Sequence, residues 1–125
     1  MVSLRAFTAR TALEPFAFGR SDCALWCADA VQACVGFDPA ADFRGTYSDW
    51  QGCRALVMRA GGLLNLIAPR MIDPRLRPLG RDGVAVLRAE ARTLCGVILD
   101  GDALVKTDTG LRRIEAPQIV AGWSW

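Results

Sequence analysis

Histidine is absent from the 125 residues, and lysine occurs once, as Lys106. The first absence removes the usual partner of a nucleophilic cysteine and the commonest metal ligand. Long apolar runs are missing too. None approaches the ~20 residues that a membrane-spanning helix needs, and "MVSLRAFTARTALEPF" holds no apolar stretch of the signal-peptide kind. No C-x₂-C pair is present to start a zinc site, and five cysteines, an odd number, do not make a disulfide framework. No metal, no cofactor and no membrane association are therefore expected. Synthesis in the bacterial cytoplasm, where thiols stay reduced, is the expected setting.

What the chain does have is core. Hydrophobic residues make up 52% and charged residues 22%. That composition suits a packed domain and argues against disorder. The length fits one domain over residues 1–125. A formal net charge of +2 gives no case for a nucleic-acid partner. The heavy use of Arg over Lys, with many Ala and Gly, is typical of a GC-rich bacterial or phage genome.

Leu4, Phe7 and Leu13 lie at helical spacing behind Ser3, a residue suited to capping, and Pro15 would end that helix. A second helix is expected over 22–35, opened by Ser21 or Asp22 and stopped by Gly36. It is apolar nearly all round, which places it at the centre of the domain. A third helix is expected over 48–60, with Trp50, Cys53, Leu56, Val57 and Ala60 on one side and Gly61-Gly62 as its stop. A short fourth covers about 63–71. "DPRLRPLGRDG" reads as a connector. From residue 83 onward the pieces are short and β-rich, separated by turn residues such as Asp100-Gly101 and Thr109-Gly110. Helices first and an antiparallel sheet second make an α+β fold.

The stretch "GRSDCALWCADAV" carries the chemical question. Cys23, Cys27 and Cys34 sit at i, i+4 and i+11 of the second helix, within about 40° of one another at roughly 100° per residue. For Cys27 and Cys34 this stripe reads as packing, since a reduced cysteine behaves as a small hydrophobe. Cys23 differs. At a helix N-terminus the free N–H groups and the dipole favour the thiolate, while Asp22 beside it opposes that charge. Asp or Lys would have to replace histidine as its base. Asp100 and Asp102 read as a solvated turn and Arg112-Arg113 as a solvated strand face. Trp123 and Trp125, two apart on a terminal strand, share one face, and either meet a partner or cover the domain's own core.

Taken in order, an aromatic–Gly ("FAFG"), an Asp-Cys opening a buried helix ("SDC") and then a small sheet resemble the NlpC/P60 superfamily of papain-like cysteine peptidases. In that likeness "GRDGVAVL" is similar to the family's "GDLVFF" strand with Gly and Asp reversed, and "LCGVILDG" to its histidine strand. The likeness implies a papain-like arrangement with the buried helix packed on the C-terminal sheet. Cys23 falls at the nucleophile, Gly96 and Val97 at the Gly-Ile pair, and Leu94 where the histidine would stand. The "SG" that follows the family's "DC" is "AL" here. Over nearly its whole length the chain also resembles a group of small phage and prophage proteins of unassigned function, through "FGRSDC", "DPAADFRGTY" and "GGLL". That likeness implies a catalytically degenerate structural or assembly component of a phage or phage-like tail tip, with other tail proteins as partners and the virion tail as its place. An active cysteine amidase or peptidase on cell-wall peptides is the alternative it leaves.

Overall fold

The computed structural model describes residues 1–125 and has the α+β order expected, four helices followed by a six-stranded antiparallel sheet. Helix α1 spans Leu4–Thr11, α2 Cys23–Val35, α3 Trp50–Ala60 and α4 Leu63–Ile67, the last continued by a 3₁₀ turn at Ala68–Arg70. The strands are β1 (Arg77–Pro78), β2 (Gly83–Ala89), β3 (Arg92–Leu99), β4 (Asp102–Thr107), β5 (Gly110–Ile114) and β6 (Gln118–Ser124), ordered β1-β6-β2-β3-β4-β5. No helix is long and apolar enough to cross a membrane.

α2 is the centre. Asp22 caps it by accepting from the Leu25 N–H, and Gly36 closes it in the left-handed conformation at φ 104°. Eight of its 13 residues are buried. Trp26 is fully buried, packs on Phe7 of α1 at 5.9 Å, and donates its indole N–H to Thr11 Oγ1 at 2.9 Å. The bond satisfies the one polar atom that burying an indole carries inward. The main core joins α1 and α2 to Val84 and Val86 of β2 and Cys95 and Val97 of β3. A smaller cluster takes the alternate residues Ala85, Leu87 and Ile98 of β2 and β3 together with Ala103 and Val105 of β4.

Three expectations need correction. α1 stops at Thr11, four residues before Pro15, and Thr8 and Thr11 donate their hydroxyls back to Leu4 and Phe7 carbonyls at 2.9 Å. Leu13 therefore falls outside the helix stripe and is 97% exposed. α4 gives way to a 3₁₀ turn after Ile67 rather than running to 71. Within the expected connector, Arg77 and Pro78 pair with Ser124 and Trp123 as β1. Proline has no N–H to donate, and this strand lies at the sheet margin, where that loss is tolerated.

The hairpins show two routes to one turn. Asp100-Gly101 links β3 to β4 with φ 50° and 86°, as anticipated for that pair. Glu90-Ala91 links β2 to β3 with φ 53° and 61°, the same left-handed conformation without a glycine. Between β2 and β6 the register shifts at Val86/Leu87, opposite Ala121 and Ile119, so Val120 is the extra residue of a β-bulge.

Candidate functional site

Cys23 is the first residue of α2 and is half-buried. Its surroundings are built by two distant loops. Gly19 stands at φ 80°, and a Cβ there would lie 1.9 Å from the Tyr47 carbonyl oxygen. Only glycine admits so close an approach and that conformation together. The Gly45 N–H donates to the Gly19 carbonyl at 3.0 Å, which holds the two loops side by side. Tyr47 then donates its hydroxyl to Asp22 Oδ2, which also accepts the Gly19 N–H at 3.1 Å, while Oδ1 accepts the Leu25 N–H at 2.9 Å. Asp22 is 3% exposed. Three donors make burial of that carboxylate tolerable. Farther along, Arg44 fastens the second loop to α2 by donating to Asp38 and Asp29, both at 2.7 Å.

The "FGRSDC" and "DPAADFRGTY" segments are thus one structure around the start of α2. The lone tyrosine of the chain ends the second segment, and that was the signal by which Tyr47 could have been found from sequence. Gly52 of α3 continues the close packing, since a Cβ there would lie 2.8 Å from Tyr47 Cβ.

Electrostatics hold the Cys23 thiol neutral. Burial pushes it up to about 11, and Asp22 and Cys53 add to the rise, against backbone groups of Cys95 and Ala24 that oppose it. Desolvation outweighs whatever the helix N-terminus offers. Cys27 and Cys95 are raised further, again chiefly by burial. Cys53, on α3, is raised by burial and by Asp22, with a bond from Tyr47 working against both. Burial together with the bond to Asp22 lifts Tyr47 well above the usual phenol range. All five cysteines are free, and no group of three His, Cys, Asp or Glu side chains is arranged to hold a metal ion.

Cys23 opens onto a cleft of about 780 Å³, bounded on one side by α3 and α4 and on the other by β3, β4 and β5. Leu94 of β3 lines the same cleft, and both residues touch the smaller cluster of β2, β3 and β4. β3 alternates at this point: Leu94 joins that cluster, while its neighbour Cys95 joins the main core beside Cys27. Lys106, also on the cleft, is 3% exposed and donates to the Ser21 hydroxyl. Burial lowers its ammonium below the ordinary lysine value, with Glu14, Asp29 and Asp22 resisting the fall. Sequence reasoning named Lys only as a conceivable base and gave this residue no place. Its contact with Ser21 spans 85 positions, so no local pattern announces it.

Trp123 and Trp125 lie away from this cleft. Both are half-buried and pack on the main core, and Trp123 sits opposite Val84 and Pro78. The pair covers the domain's own interior. Asp102 is held by Arg113, and Asp100 by Arg5 at 2.6 Å, so the turn carboxylates are ion-paired surface groups.

The fold and site define a small α+β domain with a cysteine at the head of a buried helix, set in an open cleft. A family model matches residues 2–125, and the chain belongs to that family, described as Domain of unknown function (DUF6950). No curated protein and no solved structure matches.

Proposed function

We propose that this chain is a non-catalytic subunit: a papain-like, NlpC/P60-type scaffold that keeps the nucleophile's place without its chemistry and serves as a structural or assembly component. The setting implied by its likeness to small phage and prophage proteins is the tail tip of a phage or phage-like particle. One observation carries the reading. The group in the nucleophile's place is a thiol pushed up to about 11, in a chain without an imidazole to take its proton. At pH 7 such a thiol is ionised to the extent of ~10⁻⁴, and loss of a base removes a further ~10²–10⁴ in rate. Leu94, the residue that the likeness sets at the histidine, is apolar and lines the same cleft, which supports the reading.

The test is direct. Purified protein incubated with muropeptides is expected to leave them intact, and Cys23→Ala is expected to support particle assembly as the parent does. Turnover that vanishes in Cys23→Ala would overturn the reading. A different observation favours the active amidase as a second reading: the cleft also holds Lys106, whose amine burial makes easier to deprotonate. In that case turnover is lost in Lys106→Met as well as in Cys23→Ala.

A further inference from the structure

α3 is an 11-residue helix without a single buried residue. Its apolar side, Trp50, Cys53, Leu56 and Val57, lines the cleft, and Leu56 also packs on the buried cluster of Leu25, Ala28, Ala40 and Phe43. Trp50 is 47% exposed at one end and Met58 61% exposed at the other. They are eight positions apart on the helix, about 12 Å at ~1.5 Å per residue. An extended peptide covers that length in about four residues at ~3.3 Å each. Aromatic surface continues beyond the helix: Phe18 lies 6.3 Å from Trp50, and Phe16 packs edge-on against Phe18 at 4.9 Å.

The charges around this apolar surface are unequal. Arg92 lies over the Trp50 ring at 5.6 Å, and neither Arg92 nor Arg54 has a carboxylate within ion-pair distance. Of the cleft's own carboxylates, Glu90 is held by Arg112 at 2.5 Å and Asp22 is enclosed by its three donors. Arg92 also acts on Glu90 from a distance, and Asp108 is the remaining carboxylate of the cleft without an ion-pair partner. A half-exposed Trp with an unpaired Arg stacked on it is a combination favoured at binding hot spots.

We infer that the cleft is a docking site for an extended, acidic and apolar segment of a partner protein. Its large side chains would lie on Phe16, Phe18, Trp50 and Met58, and its carboxylates would meet Arg54 and Arg92. The inference rests on the subunit reading above, since it names where such a subunit is held and the chemistry of what holds it. Burying the apolar side of α3 supplies affinity, and the two arginines supply register and selection against basic segments.

The experiment uses three fluorescein-labelled hexapeptides of alternating Leu or Phe and a charged or neutral residue, with Glu, Gln or Lys at the alternate positions. Fluorescence anisotropy at low and high salt is the readout. The Glu peptide is expected to bind at least about tenfold tighter than the Gln peptide, with the difference shrinking in salt, and the Lys peptide weakest. Arg54→Gln with Arg92→Gln, both at exposed positions, is expected to erase the Glu-over-Gln preference. Trp50→Ala is expected to weaken both. Far-UV circular dichroism of each variant checks that the fold is kept. Equal binding of all three peptides, binding of none, or binding of dodecanoate without any peptide overturns the inference. Peptide binding together with Cys23-dependent muropeptide turnover would keep the docking site and discard the non-catalytic reading. Absence of both would discard the docking site and leave the subunit reading standing.

Discussion

α2 and α3 are punctuated alike. Each opens on an aspartate whose carboxylate accepts the N–H three residues on, and each closes on a left-handed glycine, at φ 104° and 87°. Their fates differ. α2 buries eight residues and organises the core, while α3 buries none and borders open space. Caps decide where a helix begins and ends, and the distribution of apolar side chains decides whether it is swallowed. α2 is apolar all round and must be enclosed. α3 is apolar on one side, and that side lines a cleft while Leu56 ties it to the buried cluster beside α2.

The largest test of this contrast replaces one Trp in each helix. Trp26→Ala removes a fully buried indole, its packing on Phe7 and the Thr11 bond, and is expected to cost about 3–5 kcal/mol in urea unfolding. Trp50→Ala, at a half-exposed position on α3, is expected to cost under about 1 kcal/mol. Equal losses would mean that α3 is as much a part of the core as α2.

The caps come next. Asp22→Ala removes the helix cap and strands the Gly19 N–H and the Tyr47 hydroxyl in a buried site, a loss of about 2–4 kcal/mol. Asp49→Ala removes only an exposed cap, at about 1 kcal/mol. Matching costs in thermal or chemical unfolding would show that the Gly19–Asp22–Tyr47 junction adds nothing to an ordinary cap.

Alkaline pH sharpens the contrast further. The folded Cys23 thiol, at about 11 against an ordinary 9.0, keeps its proton where the unfolded chain has lost it. The folded state thus binds more protons between these values, and stability is undiminished below pH 9 and falls as pH rises toward 11. Two units correspond to about 2–3 kcal/mol for this group at pH 11. Cys27 and Cys95 act in the same direction. Cys23→Ala is expected to flatten the decline of urea midpoint with pH, and an unchanged decline would mean that the thiol is solvated. Iodoacetamide labelling of Cys23 in the parent is correspondingly expected to accelerate about tenfold per pH unit up to about 11.

The smallest effect lies at the hairpin between β2 and β3. Ala91 holds φ 61°, so Ala91→Gly relieves left-handed strain at some cost in unfolded-state entropy, for a net gain of about 0.5–1 kcal/mol. A loss of stability would mean that the Ala91 methyl makes contacts worth more than the strain.

Much of α2 was legible because its signals are local. "SDC" and "VG" mark its ends, and its apolar circumference marks its burial. The expected strands also appear where β-rich runs alternate with turn residues. What sequence did not disclose is non-local or conformational. β1 exists because Pro78 reaches Trp123, and Tyr47 matters because it reaches Asp22 across 25 positions. Leu13 followed the helical spacing correctly but lay past the point where two threonines bind back on their own helix. Of the site, Cys23 and Leu94 were set in their roles by the likeness alone; both line the cleft. The aromatic and arginine lining of that cleft comes from α3, the Phe16–Phe18 turn and the β2–β3 hairpin, which no spacing links.

The two margins of the sheet have a bearing on solubility. An open strand edge is a template on which further chains can stack, and many copies in one place make that hazard acute. β1 offers just two residues, one of them a proline that cannot donate. At the opposite margin β5 carries Arg112 and Arg113, tied to Glu90 and Asp102, so a chain approaching that edge meets charge before it meets backbone. Beyond β1, however, β6 from Gln118 to Gly122 has no partner on its outer side, and Ile119 and Val120 there are 38% and 43% exposed. Cross-β growth is therefore opposed by charge at the β5 limit of the ladder, and at the other limit only by the short β1 and by the kink that the bulge at Val120 puts into β6.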